Sequence, residues 1–228
     1  MKFADRLRPL QKNVFADMDR AKARAQSLNT LPLIDLSLGS SDLPTPSPIL
    51  DTIAACLPDS RTHGYVLHRN TQDFRRAAAQ WYEQKFGLAV DPETEVLLLI
   101  GSQEGTAHLP LAVLNPGDYA LLLDPGYPSH EGGVYLANGR VYPMPLRAEH
   151  HFLPQFDTIP STVLAQARLM ILSYPHNPTT AIAPLAFFEE AVDFCRHHDL
   201  ILIHDFPYAD LAFDSCPPSI LQADPGKT

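Results

Sequence analysis

The sequence predicts an α/β protein in three layers, a mostly parallel sheet with helices on both faces. Short apolar runs of strand length alternate with amphipathic stretches of helical length, the order that folds into a parallel sheet. The run at 95–100 is almost uninterrupted in its apolar character, as a strand covered on both faces must be. Several of these runs end in clusters of Gly, Ser, Asn, Asp and Tyr, and the carboxyl ends of strands are where such sheets bind ligands.

The elements follow in order. Phe3, Leu7, Leu10, Val14 and Met18 recur at steps of three and four, a helical arm over 3–26 broken near Pro9, because proline cannot continue a helix interior. An apolar-polar alternation at 33–38 ends at Gly39-Ser40-Ser41-Asp42, and Pro44-Thr45-Pro46-Ser47-Pro48 then makes a stiff, extended connection. A boundary at 46 divides the chain into an N-terminal part, 1–46, and a larger domain, 47–228. Pro48 suits the first turn of a helix running to about 57. The next helix, 73–86, carries Phe74, Ala77, Ala78, Trp81 and Tyr82 on one face and stops at Gly87. After the strand at 95–100 come a helix at 106–114, a strand at 119–124, a helix at 129–137 and a strand at 140–143. A helix at 161–166, a strand at 169–174, a helix at 184–197 and a strand at 200–205 complete the pattern.

Composition narrows the function. With 228 residues and 45% hydrophobic content the chain can bury a substantial core. A net charge of −9 leaves no general basic face for a nucleic-acid backbone. No apolar run reaches the ~18–20 residues that cross a bilayer, and the N-terminus lacks the apolar core of a secretory signal. The expectation is a soluble, cytoplasmic protein with no nucleic-acid or membrane partner. Cys56, Cys195 and Cys216 are odd in number and widely spaced, unlike a disulfide framework or a metal knuckle. The ten histidines form no metal set, so no metal is expected.

Four polar clusters carry the chemistry. Gly101-Ser102-Gln103-Glu104-Gly105 reads as strand, turn and helix start, which aims free backbone N–H groups and a hydroxyl at an anion such as phosphate; a capped helix start with no ligand explains the same letters. Asp124-Pro125-Gly126-Tyr127-Pro128 follows the second strand. Ser173-Tyr174-Pro175-His176-Asn177-Pro178 contributes amide donors, and Asp205-Phe206-Pro207-Tyr208 a carboxylate and a phenol. A carboxylate closing an apolar strand has to find a partner or be solvated: a protonated ring nitrogen would stabilise it, and so would hydrogen bonds within a loop. A nucleotide-binding reading lacks both a Gly-x-Gly-x-x-Gly run and a P-loop spacing before Gly226-Lys227-Thr228.

Taken in order, these four clusters resemble the large domain of the fold-type I pyridoxal-phosphate aminotransferases. The wording is closest to the class I/II group that includes the LL-diaminopimelate and aspartate/alanine aminotransferases. The resemblance implies that Ser102 and Gln103 cup the phosphate of pyridoxal 5'-phosphate and that Tyr127 lies against its ring. It also implies that Asn177 and Tyr208 hydrogen-bond the phenolic oxygen and that Asp205 pairs with the ring nitrogen. His63-Gly64-Tyr65 resembles the segment whose tyrosine reaches the phosphate in a neighbouring subunit, which implies a homodimer with shared active sites. Gly39 falls where the family places a glycine beside the substrate carboxylate, although the family's Gly-x-Pro-Asp turn reads Gly39-Ser40-Ser41-Asp42 here. The family's Asn-Pro-x-Gly likewise appears as Asn177-Pro178-Thr179-Thr180.

On the same resemblance, residues 1–46 are the arm and the start of the small domain, and 47–228 an incomplete cofactor-binding large domain. The lysine that holds the cofactor covalently follows the Asp-x-x-Tyr motif in the family, and the sequence stops at Thr228 before reaching it; Lys227 lacks the family's serine-rich lead. No catalytic residue is therefore assigned, and the chain is expected to be the N-terminal portion of an enzyme and inactive alone. The implied activity is amino-group transfer from an amino acid to a 2-oxo acid, in amino-acid biosynthesis. The alternatives are a lyase or synthase relative on the same scaffold and a non-catalytic remnant or binding module.

Overall fold

The structure, a computed structural model, describes residues 3–10, 14–28, 31–39 and 41–226. It groups into two units, Met1–Leu10 with Gln72–Thr228, and Gln11–Thr71.

The unit Gln11–Thr71 holds α1 (Val14–Leu28) and α2 (Ser47–Cys56), with Pro48 in the first turn of α2 as its fixed φ favours. The other unit begins with a single 3-10 turn at Asp5–Leu7. The arm expected over 3–26 is thus interrupted around Pro9. Lys22 ties α1 to the segment that follows it through Asp35 at 3.0 Å.

The larger unit is built on α3 (Gln72–Phe86), α4 (Ser102–Val113), β1 (Tyr119–Asp124), α5 (Pro128–Leu136), β2 (Arg140–Pro145), α6 (Ser161–Leu164), β3 (Ala167–Ser173), α7 (Leu185–His198) and β4 (Ile201–Asp205). The four strands are all parallel, in the order β2-β1-β3-β4. From β1 the chain moves outward to β2 and then returns past β1 to β3. The winding reverses between β1 and β3, which makes the crevice above their carboxyl ends the ligand position of this topology.

Side chains alternate across a strand, and here both faces are covered. Leu121, Leu123, Met170 and Leu172 pack with Phe187, Phe188 and Ala191 of α7. Ala120, Leu122, Leu169 and Ile171 pack with Leu114 and, from α5, Val134. The expected three layers are present. On the second face α4 and α5 approach closely because residue 133 is glycine: a Cβ there would stand 2.7 Å from the Thr106 carbonyl oxygen. That carbonyl has lost the N–H four residues on, since Pro110 lies inside α4.

Two expectations are corrected. Residues 95–100 form no strand; Leu97 is 74% and Ile100 93% exposed. A strand is held by its ladder to a neighbour, and among the described residues none pairs with this run. On α3 the buried residues are Arg75 and Ala79, while Phe74 is 53% and Trp81 36% exposed. Arg75 tolerates 1% exposure because its guanidinium donates to the Pro92 carbonyl and the Glu93 carboxylate.

β4 also carries a buried titratable group. His204 Nε2 donates to the Tyr174 carbonyl at 3.0 Å, and Nδ1 accepts from the Ile220 N–H at 3.4 Å. This pairing needs a neutral ring, and burial pushes the His204 pKa down to about 4 from 6.5, against the opposing pull of the Tyr174 carbonyl and Asp205. A histidine whose pKa falls on folding contributes stability above 6.5 that is lost as pH drops toward 4. Urea unfolding against pH is therefore expected to show an acid limb across that window which His204→Gln flattens; an unchanged limb in the variant refutes the assignment.

Candidate active site

The carboxyl ends of β3 and β4, the turn after β1 and the start of α4 enclose a cavity of about 280 Å³. Its lining includes Gly101, Ser102, Gln103 and Thr106 on the α4 side, Tyr127 after β1, Ser173 and Asn177 at the end of β3, and Asp205, Pro207 and Tyr208 after β4. Six residues that the sequence singled out, Ser102, Gln103, Tyr127, Asn177, Asp205 and Tyr208, are therefore brought together. Gly39 and Tyr65 are not in the lining; both lie in the unit Gln11–Thr71, where Tyr65 is 92% exposed and a methyl group added at Gly39 would meet nothing within 4 Å. Ser40 and Lys227 lie outside the described residues.

Each wall has a local cause. Gly101 takes φ +76° at the N-cap of α4, a conformation that favours glycine, and it turns the chain into the helix so that Ser102 and Gln103 present the first-turn N–H groups. Glu104 takes the N–H of Ile100 at 2.6 Å, and the Glu104 N–H bonds the Gly101 carbonyl at 3.1 Å. Ser102 and Gln103 are left to face the cavity at the positive end of the helix.

On the opposite side Ser173 and Asp205 are register partners on β3 and β4. The Asp205 side chain is only 13% exposed, and its Oδ2 accepts from His130 Nε2 at 3.0 Å. His130 is its one hydrogen-bond partner among the described residues. Asn177 Nδ2 donates to the Tyr208 hydroxyl at 3.4 Å, so two donors converge on one side of the cavity. Beneath them His176 holds Thr179 Oγ1 through Nδ1 at 2.7 Å, and burial lowers its pKa.

His130 is the site residue that sequence reasoning missed. The signal was present: His130 shares the buried face of α5 with Gly133 and Val134 at helical spacing, and a polar residue on such a face needs a partner. What the letters do not show is that the partner lies 75 residues downstream.

The lining offers donors for an anion at the α4 end, a carboxylate at Asp205 that could meet a cation, and donors for an oxygen at Asn177 and Tyr208. That combination fits pyridoxal 5'-phosphate. Among the described residues no group of three side chains is arranged to hold a metal, and no helix is long and apolar enough to cross a membrane.

A parallel sheet of this order, covered by helices on both faces, is the fold of the large domain of the pyridoxal-phosphate-dependent transferases. The chain belongs to the class I and II aminotransferase family, whose pattern matches residues 32–227. It is 40% identical over 228 residues to the LL-diaminopimelate aminotransferase of Halothermothrix orenii and 42% identical to that of Moorella thermoacetica, covering all of this chain and 58% of each relative. Among solved structures it resembles a probable N-succinyldiaminopimelate aminotransferase from Thermus thermophilus, at 43% identity and TM-score 0.85 over 92% of this chain and 56% of that one. Substrate-bound BacF from Bacillus subtilis superposes at TM-score 0.90 with 36% identity, over 97% and 56% of the two chains. The chain spans about 58% of the length of the curated relatives it matches.

Proposed function

We propose that this chain is the cofactor-binding portion of a pyridoxal-phosphate-dependent aminotransferase that moves an amino group from an amino acid to a 2-oxo acid. The observation that carries the reading is the pairing, across one cavity, of an anion-binding helix start at Ser102 and Gln103 with a largely buried carboxylate at Asp205. Asp205 would hold a proton on the ring nitrogen, with His130 fixing the carboxylate. Asn177 and Tyr208 would bond the phenolic oxygen, and Tyr127 would lie against the ring. When bound, pyridoxal phosphate supplies an electron-withdrawing ring that stabilises negative charge at the substrate α-carbon.

The relatives' names support a diaminopimelate-type amino-acid substrate and, with it, a role in amino-acid biosynthesis. The division at 46, with an arm and the start of a small domain before it and the cofactor-binding domain after it, belongs to the same reading. So do Gly39 beside the substrate carboxylate, Tyr65 reaching the phosphate of a partner subunit in a homodimer, and a cytoplasmic location.

The test is uptake and turnover by the natural full-length protein. After incubation with pyridoxal 5'-phosphate and gel filtration, the protein is expected to retain the cofactor's visible absorbance. It is expected to convert LL-diaminopimelate and 2-oxoglutarate with glutamate as the second product. No retained absorbance refutes the cofactor assignment; retained cofactor with release of ammonia and no glutamate assigns the lyase relative instead.

A further inference from the structure

Lys85 sits near the end of α3 with its side chain only 18% exposed. A cation so covered needs strong partners. Its ammonium lies over two aromatic rings, with Nζ 5.0 Å from the Trp81 centroid and 5.9 Å from that of Phe86. Its charge is met by the Asp210 carboxylate and, at 3.4 Å, by the Ala209 carbonyl. These partners are some 125 positions away in sequence, on the turn that follows β4. The Leu211 N–H closes that turn on the Tyr208 carbonyl at 3.0 Å.

The same helix holds the start of the segment as well: the Phe86 ring meets Phe206 at 5.9 Å, and Phe206 in turn stacks on His204 at 4.5 Å. α3 therefore grips residue 206 on one side and residues 209 and 210 on the other. Between the two grips stand Pro207 and Tyr208, which line the cavity.

We infer that Lys85 is a positioning residue: by holding Asp210 and the Ala209 carbonyl it fixes the turn that sets the Tyr208 hydroxyl beside Asn177. Lys85 touches nothing in the cavity and acts through the turn. The inference rests on the reading that Tyr208 bonds the cofactor. Removing the ammonium leaves the Phe206 contact in place and frees the far end of the turn, so the Tyr208 hydroxyl loses its fixed distance to Asn177.

The experiment uses the natural full-length protein and the variants Lys85→Met, Lys85→Arg and Asp210→Asn. Three quantities are read: the dissociation constant for pyridoxal 5'-phosphate, the pH midpoint of the bound cofactor's absorbance, and the melting temperature. Lys85→Met and Asp210→Asn are expected to weaken cofactor binding roughly 5-fold, the scale of one ion pair of this kind, and to raise the absorbance midpoint because a donor to the phenolic oxygen is loosened. Lys85→Arg is expected to restore both. Lower melting temperature with affinity and midpoint at wild-type values overturns the inference and makes the pair purely structural. If Lys85→Met fails to fold, Asp210→Asn decides by the same criteria, since Asp210 lies at the surface. A wild-type protein that takes up no cofactor overturns the functional reading itself, and this inference with it.

Discussion

Asp205→Ala in the natural full-length protein is expected to lower transamination about 10³-fold, the scale on which removing one preorganised electrostatic group acts in a water-poor site. The carboxylate closes β4 at 13% side-chain exposure and receives His130 at 3.0 Å. A negative charge so placed is the group that can keep a proton on a ring nitrogen in the cavity. The alanine variant also strands His130, a buried ring whose N–H then lacks an acceptor, which costs about 1–3 kcal/mol of stability. Asp205→Asn separates the two effects. Its amide oxygen still accepts from His130, so the melting temperature is expected to stay near wild type. The charge is gone, so turnover is expected to fall nearly as far as with alanine. Steady-state rates and thermal melts of both variants check this, and an Asp205→Asn protein with near-normal turnover would sink the assignment.

Much of the layered architecture was legible because the central strands are apolar on both faces. The runs that became β1, β3 and β4 carry few polar letters, and their alternate side chains divide between the two hydrophobic clusters. Three of the four polar clusters were legible for a related reason: polar letters that end an apolar strand, as after β1, β3 and β4, fall at the carboxyl edge of the sheet, and parallel strands gather those edges on one side; the fourth, at Gly101, was legible as a helix start.

The run at 95–100 shows where this logic stops. Its letters record that the segment favours burial, whereas a strand also needs a neighbour to hydrogen-bond, and Leu97 and Ile100 are instead exposed. His130 and Lys85 escaped notice because their meaning lies in partners 75 and 125 positions away. Arg75 went unread because arginine on a helix suggests solvent, and its acceptors at Pro92 and Glu93 lie 17 and 18 positions away in sequence. Gly39 and Tyr65 were named by resemblance alone, and their own surroundings add no chemistry to that.

The largest effect on stability is expected from Phe188→Ala. Phe188 is buried at the join of α7 with the sheet, its ring 5.9 Å from Phe187, 6.4 Å from Tyr174 and 4.8 Å from His204. Truncating such a ring removes its transfer free energy and leaves a cavity, a loss of about 3–5 kcal/mol. The contact with His204 makes this loss depend on pH. His204 is held neutral by burial, with its pKa pushed down to about 4, and part of that cover is the Phe188 ring. Opening the cover lets water reach the imidazole, and the folded-state pKa rises back toward 6.5. The folded variant then binds nearly as many protons as the unfolded chain, and its stability falls less steeply with acid than that of wild type. The Phe188→Ala penalty, read from urea unfolding of the natural full-length protein, is accordingly expected to be greatest at about pH 7 and smaller at about pH 5. A penalty below about 1 kcal/mol at neutral pH would contradict the packing, and a full penalty that does not change with pH would break the link to His204.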